Sequence, residues 1–257
     1  MSTAIVTGAS SGLGEQYAVQ LAELGYDLVL VGRTASALES VAERVRETGR
    51  DAEVMIADLA DAADLERVCE RARRRDVGML VNNAGVGTPG EFVSSEPRTE
   101  QAMLALNVTA VMRLCHAALP GMLDRDRGAI VNVSSVAAYT PSDTGPGYSA
   151  SKAYVAALTE SIAVKTQGTG VKAMAVFPGF VRTEFHQRIR MDTDWIPSWA
   201  WLRAQDVVRA SLQDLAIGRT RSVPSTRYKV AMNLARVVPR PLLRRVLAAS
   251  SRVVDRA

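Results

Sequence analysis

Apolar and polar positions alternate along the chain with two different periods. Short and nearly continuous apolar runs, such as residues 27–32, are typical of strands that are buried on both faces. Longer stretches between them have apolar residues three and four positions apart, as at Ala18, Leu21 and Ala22, which is typical of helices. The predicted strands are 4–7, 27–32, 53–57, 77–82, 129–134, 171–177 and a short one at 221–223. The predicted helices are 14–24, 36–47, 64–74, 100–123 and 148–166.

This alternation predicts the fold class. Strands that alternate with longer helices become parallel, because each helix returns the chain in a right-handed crossover. The chain has no internal repeat and no low-complexity linker. We therefore expect one α/β domain over residues 1–257, built as a doubly wound parallel sheet with helices on both faces.

Composition narrows the class of protein. Hydrophobic residues make up 47% and charged residues 23% of the chain, which is ordinary for a soluble globular domain. Cys69 and Cys115 both lie in helical stretches, so we predict no disulfide framework. The only histidines, His116 and His186, are far apart in sequence, so we predict no metal site. Residues 1–7 carry no secretory pattern, and no apolar run approaches the roughly 18 residues of a spanning helix. We expect a cytoplasmic protein.

The net charge of +4 is unevenly distributed. From Leu202 onward there are twelve Lys/Arg and three Asp/Glu, a net charge of +9 that leaves −5 for the preceding part. An acidic front part argues against a nucleic-acid partner. The basic extension, residues 219–257, mixes Leu and Val with Arg. It is interpreted as a helix packed on its own domain or on a subunit, with weak contact to an anionic membrane surface as the alternative.

A glycine-rich turn follows the first strand and leads directly into a helix. Residues 7–14 read Thr-Gly-Ala-Ser-Ser-Gly-Leu-Gly, a spacing that differs from the Gly-x-Gly-x-x-Gly of the common dinucleotide fingerprint. Glycines permit a tight turn and a close backbone approach, and the positive helix N-terminus attracts a diphosphate. A plain strand-to-helix turn is the alternative, but the position after the first strand favours a nucleotide site.

The end of the second strand indicates which nucleotide binds. An NAD site typically places a carboxylate there for the ribose hydroxyls. Here the strand ends in Val31-Gly32-Arg33-Thr34, and no acid occurs before Glu39. Arg33 can make a bidentate, charge-assisted contact with a 2′-phosphate. A solvated surface arginine is the alternative, and the hypothesis that we carry forward is NADP(H).

Polar residues follow later strands and open a later helix. Residues 82–85 read Asn-Asn-Ala-Gly, and a serine pair at 134–135 ends the fifth strand. Tyr148 and Lys152 lie four positions apart at the start of a helix, so they project from one face. The carboxyl ends of parallel strands share the sheet edge where open α/β sheets bind ligands. A lone Tyr-x3-Lys pair means little, but together with the glycine turn and Pro-Gly at 178–179 it is specific.

With these motifs in this order, residues 3–183 resemble the short-chain dehydrogenase/reductase family in its NADP(H)-preferring form. The resemblance implies a Rossmann-type sheet of six or seven parallel strands and an oxidoreductase that acts on CH–OH or C=O groups. It implies a catalytic tetrad of Asn107, Ser135, Tyr148 and Lys152. The cofactor contacts that it implies are Gly8, Ser10, Ser11, Gly12, Leu13, Gly14, Arg33, Asp58, Leu59, Asn83, Ala84, Gly85, Tyr148, Lys152, Pro178, Gly179, Val181 and Thr183.

The reaction explains why these residue types are needed. Reduction of a ketone delivers hydride to carbon and a proton to oxygen, and an unperturbed tyrosine is a poor base near neutral pH. We expect the Lys152 ammonium to lower the pKa of Tyr148. Ser135 is expected to hydrogen-bond the substrate oxygen, and Ser134 is the alternative whose side chain points to the other face of the strand. By resemblance, Asn107 anchors a water chain toward Lys152.

By the same resemblance, residues 184–202 form a substrate lid. They hold all three tryptophans, Trp195, Trp199 and Trp201, which favours an apolar ketone, acyl thioester or secondary alcohol as substrate. Simple packing of a covering helix is the alternative reading, and we expect His186 to lie on the lid surface. The resemblance also implies a homodimer or homotetramer that pairs through the helices around Asn107 and Tyr148.

Two other function classes remain open from the sequence. One is a non-catalytic NADP(H)-binding regulatory or scaffolding protein, since fold does not fix function. The other is a related isomerase or dehydratase-like enzyme that shares Tyr-x3-Lys. The intact tetrad argues against the first class. The glycine turn and the lack of a longer substrate domain argue against the second.

Overall fold

A computed structural model describes residues 2–88, 92–140, 145–189 and 191–237, and its core is one seven-stranded sheet. The strands are β1 (Thr3–Thr7), β2 (Asp27–Gly32), β3 (Ala52–Ile56), β4 (Val77–Asn82), β5 (Gly128–Val133), β6 (Val171–Val176) and β7 (Arg221–Ser222). Their order is β3-β2-β1-β4-β5-β6-β7, and every pair is parallel. The predicted doubly wound parallel sheet is confirmed.

Helices cover both faces of this sheet. They are α1 (Gly12–Glu23), α2 (Ala35–Glu47), α3 (Ala62–Ala72), α4 (Pro97–Leu104), α5 (Val111–Asp124), α6 (Pro146–Lys165), α7 (Phe185–Arg188), α8 (Ala204–Ala216) and α9 (Thr226–Val237). A π-helical turn, Ala105–Ala110, joins α4 to α5, so the predicted helix 100–123 is one continuous helix that begins three residues earlier. Helix α8 is absent from the sequence prediction, and α6 begins two residues before Tyr148.

Two apolar layers hold these helices on the sheet. On one face, Ile5 and Leu80 pack with residues of α3, α5 and α6, including Leu114 and Val155. On the other face, α1, α2 and α8 pack on inward residues of β1, β2 and β5. The five central strands, β2, β1, β4, β5 and β6, therefore bury apolar side chains on both faces, and this explains their nearly continuous apolar sequences.

Among the described residues, the helical segment Pro97–Asp124 is long and apolar enough to cross a membrane by length and composition. Leu114, Cys115 and Met122 from this segment are at most 1% exposed within the core under the sheet. A helix that packs into a domain core satisfies the same criteria. We therefore assign this segment to the core of the domain.

The chain order of the strands reverses between β1 and β4. β1 pairs with β2 on one side and with β4 on the other, so the connections leave in opposite directions and open a crevice at the carboxyl edge of the sheet. The predicted polar segments all lie at this edge. Of the basic extension, only residues 219–237 are described, so the prediction for residues 238–257 lies outside the described residues.

Candidate active site

The glycine-rich turn joins β1 to α1 at the crevice. Gly8 and Gly12 have φ angles of +64° and +60°, a left-handed conformation that favours glycine. Gly14 packs so closely on the carbonyl oxygen of Gly8 that a Cβ atom there would overlap it. Ser11 precedes α1, and its side chain makes no capping hydrogen bond to the helix. The N–H groups of the first helical turn thus have no side-chain cap and can bind an anion.

Thr7 and Asn83 fix this turn to the end of β4. The Thr7 hydroxyl oxygen accepts hydrogen bonds from the backbone N–H groups of Asn83 and Ala84, each at 3.0 Å. The Asn83 side-chain amide donates to the carbonyl oxygens of Thr7 at 2.9 Å and Gly8 at 3.2 Å. Asn83 therefore shapes the turn through its side chain. Thr7 was not among the predicted site residues, although a threonine directly before the first glycine was a visible signal.

Arg33 and Asp58 meet at the ends of β2 and β3. A guanidinium nitrogen of Arg33 lies 3.8 Å from a carboxylate oxygen of Asp58, and both side chains are largely exposed. The cap of α3 is Asp61, which accepts hydrogen bonds from two backbone N–H groups, so Asp58 does not cap that helix. The Leu59 side chain is buried in the core. Arg33 is thus a weakly paired cation beside the crevice.

Tyr148 lies in the first turn of α6, and its hydroxyl lies beside that of Ser135, which follows β5. Burial raises the pKa of Tyr148 to about 12, and the neighbouring Ser135 hydroxyl opposes this rise. Ser134, the alternative serine, is buried, and its hydroxyl donates to the Lys152 carbonyl oxygen at 2.7 Å. The structure brings Ser135, not Ser134, to the tyrosine hydroxyl.

Lys152 lies one turn further along the same face of α6. Its ammonium donates to the carbonyl oxygen of Val133 at 2.9 Å and lies 5.8 Å from the centroid of the Tyr148 ring. Burial lowers the pKa of Lys152 to about 8. The expected lowering of the pKa of Tyr148 is wrong as a net shift, because the burial of the phenol raises this pKa by more than its surroundings lower it.

Asn107 lies in the π-helical turn and is fully buried. Its side-chain oxygen accepts from the Val86 N–H at 3.0 Å, and its amide donates to the Val86 carbonyl oxygen at 2.8 Å. The amide also donates to the Ser151 hydroxyl at 3.1 Å, and that hydroxyl donates to the Tyr148 carbonyl oxygen at 2.7 Å. Asn107 therefore connects the loop after β4 to the catalytic helix. Single π turns inside α-helices are frequent at functional sites.

Gly85 lies between two of these side chains. A Cβ atom at Gly85 would be 3.1 Å from the Lys152 ammonium and 3.2 Å from the Asn107 side-chain oxygen. Any larger residue would displace one of them. Because Gly85 and the glycines of the turn carry no side chains, the backbone along the crevice is open to a ligand.

The segment after β6 covers the crevice from above. Gly179 packs against the ring of Tyr228 from α9, whose hydroxyl accepts from the Phe180 N–H at 3.2 Å. Val181 is buried and bridges to Leu202. The methyl group of Thr183 lies 2.9 Å from where a Cβ of Gly12 would stand. The segment thus touches the glycine-rich turn directly.

Aromatic rings fill the base of the predicted lid. The His186 ring lies 5.0 Å from Trp201, 5.5 Å from Phe185 and 5.7 Å from Phe180, measured between centroids. His186 is only 9% exposed, so the expected surface position is wrong. The ring that contacts Tyr148 is Phe185, at 5.7 Å, and the tryptophans pack elsewhere. Phe185 was not among the predicted site residues, because the tryptophans were the most visible aromatic residues of this segment.

Comparison with known proteins agrees with this architecture. The family described as short chain dehydrogenase matches residues 2–194. An uncharacterized oxidoreductase of Myxococcus xanthus is 32% identical over 93% of this chain and 94% of its own length. A short-chain dehydrogenase from Sphingobium yanoikuyae, solved in complex with NADPH, is 32% identical with a TM-score of 0.84, over 93% of this chain and 97% of that one.

Two further solved structures are similar to this chain. The bulky-bulky ketone specific alcohol dehydrogenase from Comamonas testosteroni is 30% identical, with a TM-score of 0.80 over 93% of this chain and 96% of that one. A short-chain dehydrogenase/reductase from Burkholderia phymatum, solved with NAD, is 26% identical, with a TM-score of 0.79 over 91% and 92%. The family match, the sheet order and the motifs at the carboxyl edge agree, and the chain belongs to the short-chain dehydrogenase/reductase family of oxidoreductases.

Proposed function

We propose that this protein is an NADP(H)-dependent carbonyl reductase or alcohol dehydrogenase that transfers hydride between nicotinamide and an apolar ketone, acyl thioester or secondary alcohol. The observation that carries this proposal is that Ser135 lies beside the Tyr148 hydroxyl while the Lys152 ammonium lies 5.8 Å from the centroid of the Tyr148 ring. These groups can polarise a carbonyl oxygen and supply its proton. A purely nucleotide-binding protein does not require this arrangement.

The residues present fit a nicotinamide dinucleotide. The N–H groups after Ser11 would hold the diphosphate, Lys152 the ribose hydroxyls, and Val181 and Thr183 the carboxamide. Arg33, which is weakly paired, would hold a 2′-phosphate. When bound, the nicotinamide ring supplies or accepts the hydride. The NADPH complex of the Sphingobium relative supports NADP(H), whereas the Burkholderia relative binds NAD.

The pKa of Tyr148 bears on its role as a proton donor. Because burial raises this pKa to about 12, the phenol is protonated at neutral pH. A protonated phenol can donate a proton to a carbonyl oxygen as hydride reaches the carbon, as reduction requires. Ser135 holds the same oxygen through its hydroxyl. Lys152, whose pKa is lowered to about 8, is mostly charged at pH 7 and favours the tyrosinate that forms.

The surroundings of Tyr148 favour an apolar substrate. Phe185 lies against the tyrosine ring, and Ile189 and Phe185 both pack beside Gly87 in the loop after β4. Next to Phe185 and Ile189, the ring of Phe180 contacts the rings of His186, Trp195 and Trp201, which adds to the apolar surface. The Comamonas relative, whose described specificity is for bulky ketones, agrees with this choice.

We also propose that copies of the chain pair through α4–α5 and α6, in the cytoplasm. Apolar side chains lie exposed on these helices: Leu104, Met112, Tyr154 and Val164 are 37% to 73% exposed. Burying them against a second copy would remove apolar surface from water. The mass in solution distinguishes a dimer from a tetramer.

A carbonyl panel assayed with both nucleotides tests the proposed function. We expect oxidation of NADPH in the presence of bulky apolar ketones, and weaker activity with NADH. Arg33→Asp should lower the preference for NADPH over NADH by about 10- to 100-fold, since it replaces a charge-assisted contact with repulsion. Arg209→Asp, a change of equal charge on α8, is the matched control.

Binding of NADPH without turnover of any carbonyl would favour the regulatory or scaffolding alternative. An unchanged nucleotide preference in Arg33→Asp would contradict the 2′-phosphate contact and leave the hydride-transfer proposal standing.

A further inference from the structure

The lid carries an arginine that reaches the glycine-rich turn. A guanidinium nitrogen of Arg188, at the end of α7, lies 3.3 Å from the hydroxyl oxygen of Ser11, although the two residues are 177 positions apart. The same nitrogen pairs with Glu184 at 2.5 Å. Arg188 is 58% exposed, so packing does not hold it in place. It is positioned by these polar contacts.

The place that Arg188 reaches is suited to an anion. Ser11 stands immediately before α1, where the first backbone N–H groups have no side-chain cap. The one acid in the first turn of α1, Glu15, is paired with Arg44 and so does not counterbalance the helix N-terminus. The turn itself, residues 7–14, contains no lysine or arginine. Arg188 therefore supplies a cation that the turn lacks.

A second contact joins the lid to the turn. The Thr183 methyl group packs over Gly12, five residues before Arg188 in sequence. The chain from Thr183 to Arg188 thus lies across the entrance to α1, with contacts at both ends. Because the Arg188 side chain is exposed, its guanidinium can leave Ser11 and Glu184 and bind another acceptor.

We propose that Arg188 is a phosphate ligand of the bound nucleotide and that it binds the diphosphate when the lid closes. This inference rests on the proposed function, since it needs a nicotinamide dinucleotide at the turn. The guanidinium fork would leave Ser11 and Glu184 for two phosphate oxygens, whose charge-assisted hydrogen bonds are stronger than a bond to a neutral hydroxyl. Cofactor binding would thereby draw the lid over the substrate site.

The nucleotide offers two kinds of phosphate, and the structure favours the diphosphate. Arg188 lies at the N-terminus of α1, where a helix dipole and free N–H groups favour a diphosphate. The proposed 2′-phosphate residue, Arg33, lies at the end of β2 instead, paired with Asp58. NADH and NADPH separate the two assignments, because both carry the diphosphate and only NADPH carries the 2′-phosphate.

Equilibrium binding of NADPH and NADH to the full-length protein tests the proposal without any turnover. The quenching of tryptophan fluorescence gives the Kd for wild type, Arg188→Gln and Glu184→Gln. We expect Arg188→Gln to raise both Kd values by about tenfold, with equal effects on the two nucleotides. Glu184→Gln should leave them unchanged or lower them, because it removes the competing carboxylate and keeps the cation. Unchanged thermal unfolding of both variants would show that the fold is intact.

The outcomes separate this inference from the proposed function. If wild type binds neither nucleotide, the proposed function fails. If wild type binds and Arg188→Gln binds equally well, the inference is wrong and the proposed function stands. A loss confined to NADPH would place Arg188 at the 2′-phosphate and overturn the diphosphate assignment. An equal loss in Glu184→Gln would show that only the ion pair within the lid matters.

Discussion

The catalytic cluster (Asn107, Ser135, Tyr148 and Lys152) and the lid (residues 184–202) are held by different kinds of contact. In the catalytic cluster, side chains bond to main-chain atoms of other elements: Lys152 to Val133, and Asn107 to Val86. Side chains of the lid contact the rest of the site through aromatic rings, with centroids 5.6 to 5.9 Å apart, and through the Arg188–Ser11 hydrogen bond. Hydrogen bonds have directional requirements, whereas ring contacts tolerate small shifts.

This difference assigns the two regions different tasks. Atoms that move protons must be held within hydrogen-bonding reach, and hydrogen bonds to main-chain atoms hold these side chains in place. A surface that accepts an apolar substrate needs area and adaptability more than exact direction. We therefore expect substitutions in the catalytic cluster to change turnover or ionisation, and substitutions in the lid to change substrate binding.

The largest expected effect belongs to the hydroxyl of Tyr148. Tyr148→Phe removes the proton donor and keeps the ring that packs against Phe185. Turnover should fall by about 100- to 10,000-fold, the range for loss of general acid–base catalysis, while the Kd for NADPH stays nearly unchanged. Single-turnover kinetics and fluorescence titration measure the two quantities.

A matched control lies on the same helix. Tyr154→Phe removes a hydroxyl from an exposed side chain six residues further on and should leave turnover unchanged. If Tyr148→Phe kept wild-type turnover, the phenol would not be the proton donor, and the proposed mechanism would be wrong.

The next effect concerns the cost of burying Lys152. Its pKa is about 8 in the folded protein against 10.5 for an ordinary lysine. Below pH 8 the ammonium is charged in both states, so folding carries the full desolvation cost, about 3 kcal/mol from 1.36 kcal/mol for each pKa unit. Between pH 8 and 10.5 the unfolded chain binds more protons, so stability rises with pH. Above 10.5 both states are neutral and the contribution vanishes.

Chemical denaturation of wild type and Lys152→Met across pH 7 to 10.5 measures this cost. We expect Lys152→Met to be the more stable protein at pH 7, by about 1 to 3 kcal/mol, since the buried Val133 carbonyl loses its partner and offsets part of the gain. The difference should shrink as the pH rises. A difference that does not depend on pH would mean that the ammonium is not desolvated in the fold.

The sequence predicted most strands and helices well, because their residue patterns follow local rules. Strands buried on both faces need continuous apolar runs, so β2 and β4 were located to the residue. Tyr148 and Lys152 came from helical spacing, and the structure places both beside the crevice. Helix α8 was missed although its signal was visible: the buried positions Val207, Val208, Ser211 and Leu215 follow helical spacing.

The features that were not predicted from the sequence depend on contacts between residues that are far apart along the chain. His186 is buried because Phe180, Phe185 and Trp201 surround it, and no local pattern brings these rings together. The pKa of Tyr148 was predicted with the wrong sign because the lysine is visible in the sequence and the burial of the phenol is not. The contact of Arg188 with Ser11 joins two distant segments in the same way.

The smallest effect that we predict lies at the boundary between the two regions, at Phe185. Its ring contacts Tyr148 on one side and the loop at Gly87 on the other, so Phe185→Ala opens space directly beside the catalytic hydroxyl. The KM for a bulky ketone should rise by about tenfold, since the apolar contact of one aromatic side chain is lost. The kcat should change less, because Ser135 still holds the phenol.

Trp199→Ala separates loss of contact from general damage to the lid. Trp199 is 65% exposed and has Arg227 over its ring, away from Tyr148, so its removal should change neither constant. If Phe185→Ala instead lowered kcat as strongly as Tyr148→Phe while KM stayed constant, the ring would be needed to position the phenol. The lid would then contribute to catalysis as well as to substrate binding, and the two regions would not have separate functions.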